Sequence, residues 1–220
     1  MQESFAMKLE DFDARKILND RKVQRAIVAS VVNNYKKLVN QLTEKSNLLE
    51  FTSATPVPLK NVYKSMHTLG SDRLAAAVSA SQQFPNEDTL AIDAGTCIKY
   101  DFTNSQGEYL GGGISPGIDM RFKALNNFTD RLPLVSRNED FDQLIGTNSH
   151  ESILSGVQTS VVAEVEGIIA MYKEKYHNVK VILTGGDTAF FENRLKKPIF
   201  ADPFLILKGL NAILEYNNAK

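Results

Sequence analysis

Cysteine occurs once in this 220-residue chain, at Cys97, so no disulfide can form within it and a reducing compartment suits it. An excess of charge of one sign is also lacking. Lys and Arg number 25 against 26 Asp and Glu, a formal net charge of −1. That balance supplies no basic face, and nucleic acid is not expected as a partner. No continuous apolar run approaches the ~20 residues that span a bilayer, and the start, M-Q-E-S-F-A-M-K-L-E-D-F, has no signal-peptide pattern. The expectation is a soluble, cytoplasmic globular protein with no membrane partner. Repeats, low-complexity tracts and long linkers are missing too. The length fits one large or two small domains, with a mild boundary at Pro85-Asn86-Glu87-Asp88. Two common phosphate signatures are absent as well: no glycine loop runs into Gly-Lys-Ser/Thr, and no G-x-G-x-x-G occurs at dinucleotide spacing.

What is present reads as alternating strands and helices. Met1–Glu10 could be a strand and Asp11–Asp20 a short helix. Arg25–Val32 is nearly all apolar and reads as a strand buried on both faces. A helix follows over Tyr35–Lys45, capped by Asn33 or Asn34, with Leu38, Val39 and Leu42 on one face. Leu48–Thr52 is a further strand, and Thr55-Pro56-Val57-Pro58 breaks the pattern. Leu69-Gly70-Ser71-Asp72-Arg73 opens a small-residue helix running to about Gln83, with Ser71 or Asp72 as its N-cap. Beyond the centre, Asn126–Glu139 is a polar loop. Glu151 to about Tyr176 is a long helix with Ile153, Val157, Val161, Val165, Ile168 and Ile169 in its core stripe. Val179–Leu183 is a buried strand running into Thr184-Gly185-Gly186-Asp187. Ala189–Leu195 and Phe204–Tyr216 are helical, with a short strand at Ile199-Phe200 between them.

The chemistry concentrates between Leu69 and Gly117. Leu90-Ala91-Ile92 ends in Asp93, Ala94-Gly95-Thr96 turns the chain, and Cys97–Phe102 alternates: strand, turn, strand. A carboxylate at such a strand end sits where ligands bind in α/β folds. Gly95 lets backbone N–H groups approach a phosphate, and Thr96 adds a hydroxyl. An ordinary Asp-Gly hairpin fits the same residues. Gly111-Gly112-Gly113 reads as a glycine loop opening a helix over Ile118–Phe128, which would offer free N–H groups to an anion. Asp72 in Gly70-Ser71-Asp72-Arg73 reads either as a helix cap with Arg73 on the surface, or as a proton acceptor beside a bound anion. His67 is read as incidental and Cys97 as packing.

T-L-G-S-D-R, I-D-A-G-T-C-I-K-Y-D, Y-L-G-G-G-I-S-P-G and I-L-T-G-G-D, in this order, resemble the successive motifs of type III pantothenate kinases. Pro56-Val57-Pro58, T-D-R-L-P-L-V and the final G-L-N-A-I-L-E-Y-N extend the resemblance from about Arg25 to the end. It implies an α/β, actin-like fold: two RNase-H-like halves with mixed sheets flanked by helices. The first half spans 1–86, incomplete at its start and closed by 204–220, and the second spans 87–203. It implies a homodimer that phosphorylates pantothenate with ATP, the first step of coenzyme A synthesis. Asp72 is then the general base. Tyr63, Gly70, Ser71, Asp72, Arg73 and Ser149 are then the pantothenate contacts, with Arg73 on the carboxylate. ATP falls to Gly95, Thr96, Gly112, Gly113, Gly185 and Gly186, and Asp93 to an activating monovalent cation, K⁺ or NH₄⁺.

The resemblance also carries a departure. The family opens with a strand bearing D-x-G-N-T, whose Asp helps to hold Mg²⁺, and no such motif precedes Arg25. On that ground the first sheet is expected to lack its leading strands and ATP–Mg²⁺ to bind weakly. An impaired or regulatory member that binds pantothenate without efficient turnover is the alternative.

Overall fold

The computed structural model describes residues 12–13, 23–30, 35–44, 46–196 and 199–218. The strand expected over 1–10, nearly all of the helix expected over 11–20 and the caps at Asn33 or Asn34 lie outside them. The first described unit is a parallel pair, β1 (Arg25–Val28) and β2 (Asn47–Glu50), joined by helix α1 (Lys36–Thr43). Arg25–Val32 was expected to be buried on both faces. Of its four strand residues only Val28 is buried, because β1 has one partner strand among the described residues.

The second unit is a six-stranded mixed sheet in the order β3-β6-β5-β4-β7-β8. Its strands are β3 (Lys60–Asn61), β4 (Thr89–Ala94), β5 (Cys97–Thr103), β6 (Glu108–Pro116), β7 (Lys180–Thr184) and β8 (Phe200–Ala201). β4 runs antiparallel to β5 and parallel to β7, and β5 runs antiparallel to β6. Successive residues of a strand face opposite sides, and β4 uses both. Leu90 and Ile92 join the core beneath a long helix, whereas Ala91 packs on the other face against Ala76, Ala80, Ile182 and Leu205. Coverage on both faces is why β4 reads as an unbroken apolar run.

Helix α2 (Ser71–Gln83) and the last helix, α7 (Leu205–Asn218), cover that second face. α3 (Ile118–Asn127) follows β6, and the short α6 (Thr188–Glu192) follows β7. The long helix comprises α4 (Ser149–Leu154), a single π-turn (Ser155–Thr159) and α5 (Ser160–Tyr176). By length and composition this 28-residue stretch, whose most apolar 18-residue window has a mean hydropathy of 1.3, could cross a membrane. Here Ile153, Val157, Val161, Val165 and Ile169 are instead buried against the sheet.

α2 and α7 approach closely because both present small residues. A Cβ added at Gly209 would lie 1.9 Å from the carbonyl oxygen of Ala75, a backbone atom that cannot swing away. An added Cβ at the exposed Gly167 of α5 meets nothing within 4 Å. The two positions should therefore respond with opposite signs. Gly209→Ala should destabilise by about 1–3 kcal/mol through overpacking. Gly167→Ala should stabilise by up to about 1 kcal/mol through helix propensity. Urea denaturation followed by circular dichroism checks both, and equal effects would contradict the packing described.

Candidate active site

The site is assembled where the start of α2 meets the covered face of β5. Gly70, with φ of −60° and ψ of 134°, holds the cap position, and no side chain caps the helix there. The expectation that Ser71 or Asp72 caps is corrected, because both residues lie within the first turn. Asp72 Oδ1 instead accepts the N–H of Arg73 at 2.9 Å. A carboxylate in this turn is favoured by the positive end of the helix dipole.

The other oxygen of Asp72 faces the sheet. In the β4–β5 register Asp93 stands opposite Lys99, and Ala91 opposite Asp101. Lys99 and Asp101 are two residues apart, so both point to the α2 side, while Tyr100 and Phe102 join the opposite core. Lys99 Nζ donates to Asp72 Oδ2 and to Asp93 Oδ2, each at 2.6 Å. Asp101 Oδ1 accepts Arg73 Nε at 2.9 Å and the Tyr109 hydroxyl at 2.7 Å, and Arg73 Nη2 lies 2.7 Å from the same oxygen. The helix thus presents acid then base, and the strand presents base then acid.

Burial sets the electrostatics. It pushes the Asp101 carboxyl up, against the opposing pull of Arg73 and the Tyr109 hydrogen bond. It also pushes the Tyr109 phenol up, aided by the Asp101 charge. For Lys99, burial alone would lower the ammonium. The hydrogen bonds to Asp72 and Asp93 outweigh it and hold Lys99 above its ordinary value, so it is charged at neutral pH.

Three backbone turns meet beside Asp93. Gly95 N–H donates to the Cys97 carbonyl at 3.1 Å, Gly117 N–H to Thr96 at 3.1 Å, and Asp187 N–H to Ala94 at 2.9 Å. Gly185 has φ of +98°, and a Cβ there would lie 2.6 Å from Asp93 Oδ1, so glycine is required in this turn. Gly95, Thr96, Gly185 and Gly186 are therefore brought together, with the start of α3 adjoining through Gly117.

Gly112 and Gly113 were expected in a loop. They are corrected to the middle of β6, where they stand opposite Asp101 and Tyr100 of β5. The glycine run serves close packing. Gly111 has φ of +103°, and a Cβ on it would lie 2.8 Å from the Tyr63 ring. Tyr63 packs near Tyr109, with the Arg73 guanidinium 5.8 Å from its ring centre. Tyr63 and Gly70 to Arg73 thus come together. Ser149 is placed apart. It opens α4 behind its cap, Asn148, and lines a groove of about 840 Å³ whose other wall is Arg121, Leu125 and Phe128 of α3 and the loop after it.

Lys99, Asp101 and Tyr109 were not singled out from the sequence. Their signal was there: two charges at strand spacing, K-x-D, inside a strand that otherwise contributes to the core. Among the described residues no group of three or more His, Cys, Asp or Glu is arranged to hold a metal ion. At Asp93 the residues do not fit a monovalent cation either. Oδ1 faces the Gly185 turn, and Oδ2 is taken by Lys99.

Comparison with known proteins gives the family of the chain. The family model for type III pantothenate kinase matches residues 2–171. A type III pantothenate kinase of Bacteroides fragilis (strain ATCC 25285) is 47% identical over 205 residues, covering 93% of this chain and 84% of its own. One of Phocaeicola vulgatus is 47% identical over 197 residues, covering 89% and 81%. One of Flavobacterium psychrophilum is 37% identical over 213 residues, covering 96% and 88%. Among solved structures, a conserved Campylobacter jejuni protein placed in a Baf family of transcriptional activators aligns with a TM-score of 0.60 at 23% identity. That alignment covers 95% of this chain and 90% of that one. At that identity the likeness speaks for the fold.

The buried pair yields a stability test. Asp101→Ala leaves the Arg73 guanidinium buried without its partner and should cost about 3–5 kcal/mol. The double variant Arg73→Met/Asp101→Ala, which removes both charges, should recover part of that loss. Chemical denaturation of the three proteins measures it. A single-variant loss below about 1 kcal/mol would show that the pair does not hold α2 to β5.

Proposed function

Because the chain belongs to the type III pantothenate kinase family, we propose that it transfers the γ-phosphoryl group of ATP to the hydroxyl of pantothenate. The products are 4′-phosphopantothenate and ADP, and the step opens coenzyme A synthesis. The observation that carries this reading is Asp72, a carboxylate at the first turn of α2, fixed through both oxygens and joined through Lys99 to Asp93 beside the glycine turns. Phosphoryl transfer asks for positioning and charge compensation more than for covalent help. Asp72 takes the hydroxyl proton as the substrate oxygen bonds to the γ-phosphorus. The bond from that phosphorus to the β–γ bridging oxygen breaks, and ADP leaves. Each carboxylate oxygen has two lone pairs, so Asp72 retains capacity for that proton beside its present bonds.

Tyr63, Gly70, Ser71 and Arg73 are assigned to pantothenate. Arg73 already spends Nε and Nη2 on Asp101, so the substrate carboxylate is assigned to the remaining edge of its guanidinium. Ser149 keeps its assignment as a hydroxyl contact, although its groove is lined by α3 and not by α2. Gly95, Thr96, Gly185 and Gly186 are assigned to the phosphates of ATP. Gly112 and Gly113 enter that assignment through backbone edges of β6, not through a loop. Mg²⁺ is assigned to the nucleotide's own phosphates, as it commonly keeps few protein ligands.

We read the chain as two halves, 1–86 closed by 204–220, and 87–203. Separate cores around Phe51, Val78 and Ile213 and around Ile92, Phe102 and Val165 support this division, while β3 crosses it to pair with β6. A homodimer is assigned as well. Phe128, 88% exposed, and Leu144 and Ile145, each 75% exposed, supply apolar surface for it. A cytoplasmic place suits an enzyme that draws on ATP.

Asp72→Asn should leave the melting temperature near that of the parent and lower turnover at least about 100-fold, the scale of losing a general base. Pantothenate-dependent ADP release measures it. Activity within a few-fold of the parent would remove Asp72 from the chemistry. A parent that binds pantothenate without releasing ADP would favour a non-catalytic member of the family.

A further inference from the structure

Among the described residues, the ion pair of Asp72 and the ion pair of Asp93 both end on one atom, Lys99 Nζ. That atom is neither on the surface nor fully enclosed. The Lys99 side chain is 21% exposed, against 24% for Asp72 and 13% for Asp93. Its stem rises from β5 directly opposite Asp93, so the backbone register sets where the ammonium stands. Two carboxylates turned toward one another repel unless a cation stands between them. Here that cation belongs to the chain.

We infer that Lys99 supplies the fixed cation of this active site, standing where a free monovalent ion would otherwise join Asp93 to the reacting phosphates, and holding Asp72 toward the substrate hydroxyl. The inference rests on the kinase reading given above. An ammonium is a compact point charge with three donors. Two donors are spent on Asp72 and Asp93, and the third is left for a phosphate oxygen. A potassium ion seated on Asp93 would have to share Oδ2 with this ammonium, like charge against like, or displace the Gly185 turn from Oδ1. The tether also means that no free ion has to be captured before each turnover. Lys99 touches the general base and is poised to touch the phosphates, so its loss removes both a charge and the orientation of Asp72.

A merely structural lysine would pin α2 to β5 and nothing more. Small cations separate the two roles. The full-length protein and its Lys99→Ala variant are compared in KCl, NH₄Cl, methylammonium chloride and tetramethylammonium chloride at equal ionic strength. Melting temperature is read without substrates, and pantothenate-dependent ADP release with them. The parent should melt alike in all four salts, with turnover within about 2-fold across them. Lys99→Ala should lose about 10- to 1000-fold of turnover in tetramethylammonium. It should regain at least about 10-fold with potassium, ammonium or methylammonium, and these salts should also raise its melting temperature. A parent activated about 10-fold or more by potassium would overturn the inference, and so would a variant indifferent to every cation. Should Lys99→Ala fail to fold, the parent in the four salts decides alone: equal rates uphold the inference and activation by potassium overturns it. If no protein releases ADP in any salt, the kinase reading fails, while the melting temperatures still judge whether Lys99 holds the cation position.

Discussion

Two ion pairs of opposite sense, Asp72 with Lys99 and Arg73 with Asp101, fasten the first turn of α2 to the middle of β5. Nearly everything else in the site is placed relative to them. Reversing one pair alone would set like charges against each other, so the arrangement also fixes the rotation of α2 about its axis. That rotation turns Ala76 and Ala80 onto the sheet and Ala75 and Ala77 toward α7 and Phe51. The alanines make α2 compact enough to lie close to β4 and α7, but they bury little area and specify orientation poorly. Orientation comes from the charges, and proximity from the absence of bulk.

The two pairs differ in kind. Arg73–Asp101 is almost wholly out of water and has the Tyr109 hydroxyl as a further donor. Isolated buried pairs of this sort gain little net stability over apolar residues, but they penalise any misplacement heavily. Lys99 with Asp72 and Asp93 is partly wet. Its partial exposure leaves it open to an arriving polyanion. A dry pair beside a partly wet one divides the labour: the first keeps the helix in position, and the second meets the substrate.

The sequence was most informative where local chemistry and tertiary placement agree. The β4–β5 hairpin follows from an apolar run, a glycine and an alternating run, and the core stripe of the long helix from its spacing. Asp72 and Asp93 were both found as separate candidates. What joins them was not, because Lys99 and Asp101 alternate with apolar residues as in a strand with one wet face. Only the tertiary fold lays α2 over that face and turns two surface-like charges into partners. The glycines at 111–113 misled for a related reason. A glycine run suggests a loop, but here the Tyr63 ring and the neighbouring strand exclude side chains from a strand whose register shifts beside Gly111. Gly70 took the cap from Ser71 and Asp72 because the Asp72 carboxylate has a cation to meet.

The π-turn at Ser155–Thr159 bears on how the long helix stays seated. Five of its buried residues, Ile153, Val157, Val161, Val165 and Ile169, are each four positions apart. In an unbroken α-helix each residue advances about 100°, so a stripe of fours creeps about 40° around the axis with every step. By the far end it would have left the sheet. One wider turn absorbs a large part of that creep and returns the stripe to phase. The register of α5 against the sheet and the direction in which Ser149 faces the groove are therefore geared together through five residues. Removing any one of those five would leave both ends helical and turn one of them away from its partner.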